Sequence, residues 1–344
     1  MELGERKLQI LQAIIDDYIV SAEPVGSRTI AKKYGMGISS ATIRNEMADL
    51  EDMGYLEQPY TSAGRIPSDK AYRLYVDRLM KVKSLSVSEA KYIKEFYAKK
   101  TRQIEQIIFQ TAKILSDITN YTSVVLTPQL NKVLIKHIQL VPLNSTCALL
   151  VIVTSSGIIK DAIVDIPEDI SSEYLNRISN MLTSIYKGKS FDEIDTEAIY
   201  DMQRNIIKDR KFFNALVDAL TESITSKEDR EVYLGGTTNI FNFPEYHDVL
   251  KAKAFLDLLG EKEFLFKLFN KLENKGINVV IGQENEYKEL KEYSIVTATY
   301  RIGDRVLGTM GIIGPTRMEY SRAISVMDYI GKSLSDYLTE LFNK

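Results

Sequence analysis

Gly35-Met36-Gly37-Ile38-Ser39-Ser40-Ala41-Thr42-Ile43-Arg44-Asn45-Glu46-Met47-Ala48-Asp49-Leu50 is the stretch on which the reading of this chain turns. Its glycines supply a sharp turn, one of them suited to a left-handed backbone. Ser39 or Ser40 then caps a helix predicted to run to about Met53 and to stop before Gly54. At about 100° per residue, Ile43, Met47 and Leu50 share one face and pack inward. Ala41 and Asn45 lie opposite, with Thr42 and Arg44 on the flanks. A helix end of that composition suits the DNA major groove. Asparagine pairs with adenine edges, arginine with guanine or phosphate, and alanine or threonine methyls meet thymine.

Upstream, Leu8, Leu11, Ile14, Ile15 and Tyr18 predict a first amphipathic helix, which Pro24 ends. Ser27 is expected to cap a short second helix through Tyr34, packed by Ile30, Ala31 and Tyr34. Two helices joined by a glycine turn form a helix-turn-helix. Downstream, Gly54–Glu57 and Arg65–Pro67 read as paired short strands around the turn-rich tip Gln58–Gly64. A helix-turn-helix followed by a hairpin is a winged helix, and its wing would bring Arg65 to the backbone or minor groove. The candidate DNA-binding residues are therefore Ser39, Ser40, Ala41, Thr42, Arg44, Asn45, Ser62, Gly64 and Arg65. A further helix carrying Tyr72, Tyr75, Val76 and Leu79 would lead out of the domain.

The 344 residues suggest two or three domains, and 44% hydrophobic with 26% charged residues is ordinary for a globular protein. The net charge of −3 hides local order. Arg28, Lys32, Lys33 and Arg44 have no acid among them, and Arg65–Lys83 holds six basic residues against Asp69 and Asp77. Phosphate binding needs a basic face rather than a basic protein. The longest apolar run, Ala148–Val153, is far short of a membrane span, and the charged start Met1–Lys7 does not read as a signal peptide. A cytoplasmic protein is expected. The single cysteine, Cys147, excludes an internal disulfide and is expected to be buried and inert.

Little here suggests an enzyme. Only two histidines, His137 and His247, are present, leaving scant material for a zinc site or a Cys-His pair. Gly235-Gly236-Thr237-Thr238 lacks the spacing of a phosphate loop and reads as a tight turn or a backbone contact. No catalytic residue, metal or cofactor is expected. A winged helix used only for protein contacts is the other alternative, and Arg44, Asn45 and Arg65 speak against it where an apolar patch would be needed.

In the body, Val87–Thr119 reads as one long helix linking reader to body, followed by strands at Val133–Val141, Cys147–Thr154 and Ile158–Val164 in an antiparallel meander. Ile170–Ile224 has helical period; Gly276–Ile281, Ile295–Tyr300 and Val306–Ile313 return to strand, and Met318–Phe342 closes with a helix. Strands, helices, then strands suggest a sheet domain with an insertion.

The segments Ser40–Glu51 (Ser-Ala-Thr-Ile-Arg-Asn-Glu-Met-Ala-Asp-Leu-Glu), Thr61–Asp69 (Thr-Ser-Ala-Gly-Arg-Ile-Pro-Ser-Asp), Gly235–Ile240 and Gly311–Ser321 strongly resemble the HrcA family of bacterial heat-inducible transcription repressors, over almost the whole length. Tyr60 stands where that pattern has histidine, and Ala71 where it has glycine. The resemblance implies an α+β chain: an N-terminal winged helix-turn-helix at 1–84, and a GAF-like α/β sheet domain at 85–166 and 251–344. A mostly helical dimerisation domain would be inserted at 167–250. It further implies a homodimer on double-stranded operator DNA, an inverted repeat known as the CIRCE element. The GroEL chaperonin would keep the repressor active until heat diverts it.

Overall fold

The computed structural model describes residues 3–35, 37–98, 104–128, 134–155, 159–194, 210–225, 231–272, 276–303 and 305–342. The head begins with α1 (Glu5–Ser21), α2 (Ser27–Tyr34) and α3 (Ser40–Asp52). Ile10, Leu11, Ile14 and Ile15 of α1 are buried with Ile30, Ile43, Met47 and Leu50, so the three apolar stripes meet in one core. Gly35 and Gly37 take φ of 54° and 66°, the left-handed turn expected there. Ser39 caps α3, its Oγ accepting from the Thr42 N–H at 3.1 Å. Ser27 does not cap α2: Gly26 occupies the cap position, and Ser27 is the first helical residue.

The wing follows as β1 (Leu56–Glu57) and β2 (Ile66–Pro67), antiparallel, and then α4 (Asp69–Leu74), which runs on as a π turn at Tyr75–Leu79. Helices α5 (Val87–Ala98) and α6 (Ile104–Thr119) occupy the predicted long helix; residues 99–103 lie outside the described residues. Helix α6 does more than link. Its Ile107, Ile108, Ala112 and Leu115 are buried, and it lies on a five-stranded sheet.

That sheet has the order β7-β3-β10-β9-β8, built from β3 (Thr122–Leu126), β7 (Val232–Gly235), β8 (Ile277–Ile281), β9 (Tyr293–Ile302) and β10 (Arg305–Pro315). Val124, Ile295 and Ile313 pack with Phe255, Leu259, Leu265 and Phe269 of α9 (Val249–Gly260) and α10 (Lys262–Lys271). The C-terminal helix α11 (Tyr320–Phe342) brings Gly331 against Met310 and Ala298. Gly235 approaches the Ala112 carbonyl so closely that a Cβ would overlap it, and Gly236 takes φ of 59°. The glycine pair serves backbone packing.

A separate antiparallel sheet, β4-β5-β6, comprises β4 (Ile135–Pro142), β5 (Cys147–Thr154) and β6 (Ile159–Asp165). One face buries Ile138, Leu140, Leu150, Ile152 and Val164 against α7 (Ser172–Tyr186) and α8 (Arg210–Thr225). Residues 195–209 of the predicted helical stretch, together with Val133 and Ile158, lie outside the described residues.

The predicted meander is present, yet it belongs elsewhere than expected. The chain divides into one unit of 1–126, 232–300 and 309–334 and another of 127–231, 301–308 and 335–344. By this division the meander lies in the same unit as α7 and α8, whose main segment is 127–231, whereas the expected insertion covers 167–250. Strand β7 pairs with β3, with Val124 opposite Leu234. The second unit thus carries a three-stranded sheet beside its helices. Cys147 is half-buried on the open side of the small sheet, not in the core, because strand alternation sends Ala148 inward instead.

Candidate nucleic-acid interface

The face of α3 opposite its core stripe is laid open. Ala41, Arg44, Asn45 and Ala48 are exposed while Ile43, Met47 and Leu50 are buried. Neither Arg44 nor Asn45 has a hydrogen-bond or ion-pair partner among the described residues. Ser39 and Thr42 are partly committed to the helix start, their hydroxyls lying 3.0 Å apart. Ser40, the first helical residue, is half-buried.

Acids are numerous on α3, and three of them, Glu46, Asp49 and Glu51, are paired within the head. Lys7 reaches Glu46 at 2.5 Å and Asp49 at 2.6 Å, Arg6 also faces Glu46, and Arg65 pairs with Glu51 at 2.7 Å. On α2, Lys33 is held by Asp17, while Arg28 and Lys32 are exposed and carry no ion pair among the described residues. Arg28 and Lys32 on α2 and Arg44 on α3 thus remain as exposed positive charges without an ion pair among the described residues, in a chain of net charge −3. Such a local field is what a phosphate backbone attracts.

The wing differs from its reading in one respect. Ser62 and Tyr60 are exposed at its tip, Ser62 with φ of 71°. Arg65, however, turns inward: its Nε and Nη2 both bond Glu51, and its backbone N–H and carbonyl both pair with Val25. Gly64 packs against the backbone of Pro24 and Val25, and a Cβ there would lie only 2.5 Å from the Val25 carbonyl. These two residues hold the wing to the helices. The candidate residues thus separate into Ala41, Arg44, Asn45 and Ser62, which are exposed, the half-buried Ser40 at the helix start, and Ser39, Thr42, Gly64 and Arg65, which are engaged in contacts within the head. Sequence reasoning did not single out Glu51 as the partner of Arg65, because 14 residues separate them and only the folded hairpin brings them together.

Comparison with known proteins places this geometry. Residues 2–80 match the family model described as winged helix-turn-helix transcription repressor, HrcA DNA-binding, and residues 105–324 match the HrcA protein C terminal domain. The chain belongs to the HrcA family. The heat-inducible transcription repressor HrcA of Alkaliphilus metalliredigens strain QYMF is 47% identical over 98% of each chain. The namesake from Clostridium acetobutylicum is 44% identical over the full length of both. A crystal structure described as a hypothetical protein at 2.2 Å resolution superposes with a TM-score of 0.67 at 25% identity, covering 99% of this chain and all of that one. HrcA relatives are transcription repressors, not enzymes, so the chain is a repressor with an HrcA-type DNA-binding head. Among the described residues no helix is long and apolar enough to cross a membrane, and no three metal-ligating side chains gather.

Proposed function

We propose that this HrcA protein represses heat-shock chaperone operons from the cytoplasm by binding the CIRCE inverted repeat as a homodimer. The GroEL chaperonin would maintain the active form and heat would release it. The observation that carries the DNA reading is the α3 surface, where Arg44 and Asn45 stand exposed and unpartnered among the described residues, with Arg28 and Lys32 exposed on the preceding helix. Ala41, Arg44 and Asn45 meet base edges in the major groove, Ser62 and the wing tip lie along the backbone, and Ser39, Ser40 and Thr42 set the helix start. Gly64 and Arg65 support the wing from within.

The open side of the inserted sheet supports the dimer. Val141, Leu149 and Ile163 lie in one cross-strand row, and His137, Val153 and Ile159 in another. Ile159 and Ile163 are 62% and 66% exposed on either side of the row Gln139-Val151-Asp161, a largely apolar sheet face that a second copy would cover. One winged helix reads too few base pairs for strong specificity, and two-fold symmetry matches an inverted repeat.

Gel shifts on the CIRCE duplex and a scrambled duplex, at several salt concentrations, test the reading. Preference for the repeat with steep salt dependence is expected; equal, salt-insensitive binding to both contradicts it. Adding purified chaperonin to the same assay addresses its role: the bound fraction rises if the repressor depends on it.

A further inference from the structure

The head and the five-stranded sheet meet at a polar seam that DNA reading does not explain. Helix α4 emerges directly from the wing strand β2 and lies against the turn after β8. Asp69 opens α4, and its carboxylate accepts the Gln283 N–H at 2.8 Å. Gly282 takes φ of 48° there, and a Cβ at that position would overlap the Asp69 carboxylate. One turn on, Arg73 bonds both oxygens of Glu284, at 2.7 and 2.5 Å, and also the Val279 carbonyl at 2.6 Å. Glu284 in turn accepts the Ile281 N–H at 2.8 Å. A forked, charge-assisted contact of this kind constrains orientation as well as distance.

The head is also held by a second set of contacts. Arg317, 8% exposed, donates to the Ile19 carbonyl near the end of α1 at 2.9 Å and pairs with Glu245. Ser321 accepts the Lys83 N–H and donates to the Lys81 carbonyl. A head held by two separate sets of contacts is not a module swinging on a tether. Yet Arg44 and Asn45 remain exposed in this docked state, so the seam does not cover the reading surface.

We propose that Arg73, together with Asp69 and Glu284, is a positioning element that fixes the direction of α3 relative to the sheet domain, so that the two heads of a dimer read half-sites at one separation only. The inference rests on the DNA-reading dimer proposed above and adds the residues that set its spacing. Linked sites gain affinity only when geometry lets both engage at once. A rigid seam turns that condition into a selection for spacer length.

The test uses the full-length protein, wild type, Arg73→Ala and Glu284→Gln, in titrations on CIRCE duplexes. Their spacers are native, or lengthened in single base pairs through half a helical turn, about 5 bp. A duplex with one half-site serves as the control. Wild type is expected to lose on the order of a hundredfold in affinity at the half-turn insertion, since one head disengages. In both variants the native-spacer affinity falls roughly tenfold and the penalty for insertion shrinks to about threefold, with half-site affinity unchanged. Glu284→Gln keeps the side-chain volume and decides the matter if Arg73→Ala does not fold. A wild-type spacing profile retained in the variants overturns the proposal, as does a uniform gain in affinity at every spacer, which would mark the seam as inhibitory. Failure of wild type to prefer even a half-site over scrambled DNA would strike the DNA reading itself and this proposal with it.

Discussion

Arg44 and Asn45 owe their suitability to what they lack. Each is exposed on a helix whose opposite face is fully committed to the core, and neither is bound within the head among the described residues. Arg44→Ala or Asn45→Ala should weaken operator binding by roughly 1–3 kcal/mol and blur base preference, as removal of a base-edge contact does. Titration of point-mutated operators measures both, and undiminished discrimination would remove the residue from the reading set. Gly64 is constrained in the opposite way. Adding one methyl drives it into the Val25 carbonyl, so Gly64→Ala should lower stability by about 1–3 kcal/mol through overpacking. A thermal melt reports this, and an unshifted transition would show that the wing simply moves aside. Arg65 is engaged with Glu51, and this ion pair ties the wing to α3.

Two elements carry consequences of their own. The β4-β5-β6 sheet buries one face on α7 and α8 and leaves Leu149, Val151, Ile159 and Ile163 on the other. Because Ile163 contributes nothing to the internal core, Ile163→Asp should leave the fold intact and shift the protein from dimer to monomer in analytical ultracentrifugation. A dimer that persists would move the interface elsewhere. Between α4 and β8, burial disfavours the Glu284 carboxylate, but the bonds from Arg73 and from the Ile281 N–H outweigh it and hold its pKa below the ordinary glutamate value. Asp69 and Asp77 are the other carboxylates at this seam. A depressed carboxylate contributes stability that is complete above its unfolded pKa, about 4.3, and is lost as pH falls through the folded value. The melting-temperature gap between wild type and Glu284→Gln should therefore be constant near neutrality and narrow as the pH drops below about 4. A gap that does not change on acidification contradicts this account.

For the molecule as a whole, charge is the decisive quantity, and its distribution matters more than its sum. Glu46, Asp49 and Glu51 of α3 are drawn off by Lys7, Arg6 and Arg65, while Arg28, Lys32 and Arg44 stay exposed without an ion pair among the described residues. Removing Arg28 or Lys32 should weaken operator and scrambled duplex alike. It should also lower the slope of log affinity against log salt by about 1 per head, hence about 2 for a dimer. An unchanged slope would place those side chains away from phosphate.

Much of the head was legible from residue order alone. A helix with its cap, its glycine stop and its apolar stripe is specified by neighbours within a few positions, so α1, α2, α3 and the wing strands appear close to where the pattern puts them. The uncapped start of α2 is a local exception, since Gly26 and Ser27 are both acceptable there. The partition of the body was not legible. Strand β3 finds β7 more than a hundred residues away, across an intervening sheet, and nothing within β4–β6 says which core they join. The roles of Arg65 and Arg73 were hidden for the same reason. Their partners, Glu51 and Glu284, are distant in the chain, and an exposed-looking arginine becomes a brace only once folding brings its carboxylate within reach.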